Sequence, residues 1–66
     1  QRIEKIALWS HHLAQLIRER DAVQVRRLAH LDAGQAGHAR DMDARLQQLR
    51  TDIRFWRVAV QAEIPS

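Results

Sequence analysis

The chain has no cysteine and no tyrosine, and among its 66 residues there are only one proline and two glycines. Without cysteine a small domain has no disulfide staple, and thiolate metal sites and cysteine nucleophiles are unavailable. The same absence fits a reducing compartment, so a cytoplasmic location is the expectation. No apolar run approaches the roughly 18 residues that argue for a membrane span, and no charged-then-apolar leader opens the chain. A membrane partner is therefore not expected. Gln1 in place of an initiator methionine leads to the expectation that this is a trimmed chain or a piece of a longer one.

Chemistry-bearing residues are equally scarce. Ser10, Thr51 and Ser66 are the only hydroxyls, and no glycine-rich phosphate loop is present. A nucleophile and its base have little from which to assemble, and an enzyme is not expected. The four histidines raise the question of a metal, with the pair His11 and His12 and the set His38, Asp41 and Met42 as the places to look. Adjacent histidines on a helix diverge by about 100°, and no HExxH or Cys/His spacing occurs. Neither a metal nor another cofactor is expected. His30 and His38 flank the midpoint of the chain and are expected to approach each other there.

What remains is helix-forming sequence. Ala, Leu, Arg, Gln, Ile and Val fill the stretches between the breakers, with no alternating pattern bounded by turn residues. Glycines stand only at 34 and 37, and the proline is Pro65, next to the last residue. In the second half Ala39, Met42, Leu46, Leu49, Ile53, Trp56, Val60 and Ile64 recur at steps of three and four, the period of a helix stripe. Pro65 disfavours helical geometry at Ile64, so this helix should end near residue 63 or 64. The first half carries a damaged stripe: Ile3, Ile6, Trp9 or Ser10, Leu13 and Ile17 lead to the polar Arg20, Asp21 and Gln24 before Leu28 and Leu31 resume. One unbroken helix is the favoured reading; the alternative is a break near Arg20 with Asp21 as the N-cap of a new helix.

The middle segment, HLDAGQAGH, decides the architecture. It offers Asp32 as a cap and two glycines able to take φ > 0. The predicted fold is all-α, a single antiparallel two-helix hairpin, with helix 1 over about 2–31 and helix 2 over about 36–64. Facing residue numbers should add to about the length of the chain, which sets Trp9 beside Trp56 and Asp21 beside Arg45. The predicted intrachain core is Ile6, Trp9, Leu13, Ile17, Leu28 and Leu31 from helix 1 with Met42, Leu46, Leu49, Ile53, Trp56 and Val60 from helix 2.

That assignment leaves RFWRVAV, residues 54–60, with apolar side chains pointing the wrong way. If Trp56 and Val60 face helix 1, then Phe55, Val58, Ala59 and Ala62 face elsewhere, and Leu8 does the same on helix 1. One hairpin is too small to cover them, so they form the predicted partner interface. The expected partner is a second copy, with a dimeric four-helix bundle favoured, or a helix of another protein.

Charge supports a second reading. Eleven basic residues against eight acidic ones leave a net charge of only +3. Arg50, Arg54 and Arg57 nonetheless recur at helical spacing and form a ridge, while Arg26 and Arg27 make a second basic spot. Guanidinium forks suit phosphates, so these five are the predicted contacts of a nucleic-acid-binding hairpin. A third reading is a small secretion or assembly chaperone that covers a partner's helix. The near-equal helices with Leu31, Asp32 and Ala33 at the bend resemble, in topology, the Rop-type RNA-binding hairpin, and LIRERDAVQVRRLAHLD resembles small helical secretion chaperones. Neither resemblance transfers a residue role.

Overall fold

In a computed structural model describing residues 2–64, the helix-forming halves become α1 (Arg2–Asp32) and α2 (Ala36–Glu63), packed against each other as an antiparallel hairpin about 49 Å long and 16 × 14 Å across. Gln1, Pro65 and Ser66 lie outside the described residues. The long α1 runs unbroken through Arg20 and Asp21. Asp21 caps nothing: its Oδ1 accepts hydrogen bonds from Nε and Nη2 of Arg20 at 3.2 and 3.0 Å.

The connection is set by backbone chemistry. Gly34 takes φ +75°, its N–H donates to the Leu31 carbonyl at 3.0 Å, and the Gln35 N–H donates to the His30 carbonyl at 2.7 Å. These two bonds are the paired reversals of a Schellman helix end, with glycine in the left-handed position. Asp32, expected as a cap, is instead the last residue of α1. The residue before α2 is Gln35, whose side chain makes no capping bond to the helix. At the far end Ile64 is extended (φ −85°, ψ 122°), the geometry that a following proline favours.

Val23, Ala39, Leu46, Leu49, Ile53 and Val60 are buried, and Leu16 and Met42 pack against the cluster of Val23, Leu46 and Leu49. The contribution of α2 follows its apolar stripe, with Met42 and Trp56 half-buried. That of α1 does not follow the expected one. Its residues facing α2 are Lys5, Trp9, His12, Leu16, Glu19, Val23, Arg27 and His30, successive at steps of four and three, and each meets α2: Lys5 pairs with Glu63, Trp9 and His12 meet Trp56, Glu19 pairs with Arg45, Arg27 pairs with Asp43, and His30 stacks on His38. The expected pair of Asp21 with Arg45 is therefore corrected to Glu19 with Arg45.

Leu28 and Leu31 are corrected as well. They are 57% and 42% exposed and belong to no core. At about 100° per residue, the stripe of Ile6, Leu13, Ile17, Leu28 and Leu31 lies roughly a quarter turn around α1 from the row of Leu16 and Val23. Ile6, Leu13 and Ile17 retain half-burial because they border α2. Leu28 borders a depression with Gln24, Arg27, Asp43, Leu46 and Arg50, and it and Leu31 are turned mostly to solvent.

Candidate interaction surfaces

The two flanks of the hairpin differ in character. One is marked by the Glu19–Arg45 ion pair that crosses between helices, the other by Arg27–Asp43. Leu8 lies about three turns before Glu19 and nearly in line with it, and Ala59 lies about four turns after Arg45 and close to its line. Both therefore belong to the first flank, at the open end. Phe55 and Ala62 turn further outward on α2, followed by Val58 on the side away from α1.

Leu8, Phe55 and Val58 are 68%, 65% and 62% exposed; Ala62 is also exposed and Ala59 is half-buried. Thr51, Arg54, Phe55, Val58 and Ala59 line a shallow depression whose surface is almost wholly apolar. Phe55 is held by the edge of Trp56, with ring centroids 5.5 Å apart at 89°. Trp56 in turn meets Trp9 at 5.6 Å and His12 at 4.8 Å, and the Lys5 ammonium sits 4.6 Å from the centre of the Trp9 ring. The open end is thus an aromatic cluster in which Trp9 and Trp56 are half-buried and His12 and Phe55 are exposed.

The second flank is basic. A groove between the helices is bordered by Gln24, Arg27 and Leu28 of α1 with Asp43, Leu46 and Arg50 of α2, and it continues along Arg20, Ile53, Arg54, Arg57 and Val58. Arg27 is engaged by Asp43, and Arg20 by Asp21. Arg50, Arg54 and Arg57 have no ion-pair or hydrogen-bond partner among the described residues. The five arginines singled out in the sequence are divided by the fold: Arg27, Arg50, Arg54 and Arg57 share this flank, whereas Arg26, about 100° further round α1 than Arg27, has left it. Arg20 joins the set, hidden in the sequence because its position reads as an interruption of the apolar stripe.

At the turn, His30 and His38 stack with centroids 5.0 Å apart, and His30 Nδ1 lies 2.7 Å from Gln35 Oε1. Among the described residues no group of three or more His, Asp or Glu side chains is arranged to hold a metal ion, and no helix is long and apolar enough to cross a membrane.

No family model, curated protein or solved structure matches this chain.

Proposed function

We propose that the hairpin is a non-enzymatic protein–protein interaction and oligomerisation module that self-associates through its apolar open end, as a homodimeric four-helix bundle in the simplest arrangement. The observation that carries this reading is the shallow apolar depression that Phe55, Val58 and Ala59 form at the open end, with Phe55 and Val58 each more than three-fifths exposed and Leu8 exposed at the same end of α1. Single exposed apolar residues are ordinary on protein surfaces, but a contiguous apolar patch marks an interaction site. Area points the same way. A compact folded monomer of 7.7 kDa is expected to expose roughly 4,300 Å², whereas the hairpin exposes 5141 Å². The excess of about 800 Å² follows from the elongated shape and is comparable to the share that one partner contributes to an interface of standard size.

A two-fold arrangement suits the patch, because a self-complementary contact needs only one surface. Phe55 is its natural anchor: a ring backed by Trp56 is already oriented, so little side-chain freedom is lost on docking. Phe55→Glu would place a charge at the centre of the dry interface. The expected result in sedimentation is a shift to monomer mass with a lower melting temperature, since the lone hairpin is poorly covered. An unchanged mass and melting temperature would make Phe55 a surface aromatic and remove the basis of the proposal.

A further inference from the structure

On the second flank, which meets the apolar depression at Arg54 and Val58, we infer that the basic groove receives an acidic amphipathic helix of a different protein, which lies along the hairpin as the third member of a helical bundle. The shape is the first argument. From Asp43 to Gln61 the groove follows α2 for about 27 Å at 1.5 Å per residue, roughly the length of an 18-residue helix. Two packed helices present a straight trough of this kind, and a third helix fills it ridge into groove.

The floor and the rim specify what that helix carries. Leu46 and Ile53 line the floor, Leu28 and Val58 stand at its outer edges, and the half-buried Ile6, Leu13 and Ile17 extend the same flank of α1. An occupant therefore needs an apolar stripe. Along one rim stand Arg50, Arg54 and Arg57, without an ion-pair partner among the described residues and separated by about one helical turn each. Carboxylates at i, i+4 and i+7 on a neighbouring helix rise by the same step, so each guanidinium fork meets one acid. Charge complementarity on that rim and apolar complementarity on the floor together describe a leucine-bearing helix edged with Glu or Asp.

A second copy of this chain matches poorly. Glu19, Asp21, Asp43 and Glu63 are already in ion pairs, and Asp52 accepts a hydrogen bond from Gln48. Asp32 and Asp41 are too far apart to form a ladder at helical spacing, and no three acids of the sequence recur at i, i+4 and i+7. A nucleic acid matches the rim but not the floor, for no aromatic side chain lines the groove on which a base would stack.

The test is binding of the full chain to a labelled helical peptide of about 18 residues with leucines at steps of three and four and glutamates along one edge. A peptide with lysine in place of glutamate is the control. The triple variant Arg50→Gln, Arg54→Gln, Arg57→Gln should weaken the glutamate peptide about tenfold or more. The triple Arg18→Gln, Arg26→Gln, Arg40→Gln removes the same charge from other faces and should change binding by less than about twofold. The inference is overturned if the lysine peptide binds as well, if both triples lose equally, or if a short DNA duplex binds through the same three arginines while the peptide does not. Should the groove triple lose its helicity by circular dichroism, Leu28→Gln decides: the floor's apolar edge requires weaker peptide binding, and unchanged affinity overturns the inference. Self-association is read separately from the mass of the unliganded chain, so loss of one finding leaves the other standing.

Discussion

At the scale of single residues, the two glycines have opposite meanings although they are three positions apart. Gly34 occupies the left-handed region that closes α1, and nothing lies within 4 Å of where a Cβ would stand. Any penalty for a side chain there is conformational, on the order of 1 kcal/mol. Gly37 is inside the first turn of α2, with equally open surroundings and ordinary helical geometry. Alanine there removes backbone freedom from the unfolded chain and should stabilise by about 0.5 kcal/mol. Thermal melts of Gly34→Ala and Gly37→Ala should therefore move in opposite directions, the first by about −4 to −8 °C per kcal/mol for a chain of this size. A melting temperature that rises for both would contradict the Schellman turn. The sequence indicated a turn here and named its glycines, but not which of them reverses the chain. That choice depends on where α1 stops, and neither Asp32 nor Gln35 signals it by side-chain capping.

At the scale of elements, the two helices were unequally legible. The stripe of α2 is apolar throughout, and Leu46, Leu49, Ile53 and Val60 are buried where its period sets them. In α1 the row that faces α2 alternates Lys5, His12, Glu19 and Arg27 with Trp9, Leu16, Val23 and His30, while a second and more hydrophobic stripe runs along its flank. Reading hydrophobicity alone selects the second. A signal for the true row was present in the strict seven-residue spacing of Trp9, Leu16, Val23 and His30, the heptad repeat of a packed seam. The contrast gives a direct measurement. Leu49, fully buried, should cost about 2–5 kcal/mol on replacement by Ala, enough to abolish cooperative unfolding of so small a fold. Leu28→Ala should change stability by less than about 0.5 kcal/mol, as at other exposed positions. Equal losses in urea titrations would restore Leu28 to a core.

At the scale of the whole molecule, the candidate surfaces were partly visible in the sequence. Phe55 and Val58 were identifiable because the α2 stripe left them no intrachain role, and Leu8 because it lies off the stripe of Ile3, Ile6 and Leu13 on α1. The basic groove was not, since it is made of arginines from both helices and needs their relative rotation. A hairpin that is completed by its own copy has a stability that depends on concentration. Raising the chain concentration a hundredfold should raise the melting temperature, and a melting temperature independent of concentration would indicate a hairpin that is stable alone.

The ion pairs between the helices alternate in sign along the molecule: cation to anion at Lys5 and Glu63, anion to cation at Glu19 and Arg45, cation to anion again at Arg27 and Asp43. Sliding α2 by one heptad so as to lengthen the connection would bring Glu19 opposite Asp52 and Arg27 opposite Arg50, two encounters of like charge. Sliding it the other way would consume the Schellman turn and leave Glu19 and Arg27 facing His38 and Ala36. Each exposed pair contributes little energy where it stands, yet together they penalise the neighbouring alignments that a uniformly apolar seam would tolerate. The polar row of α1, which weakens the core, is thus a vernier that fixes the longitudinal setting of one helix on the other.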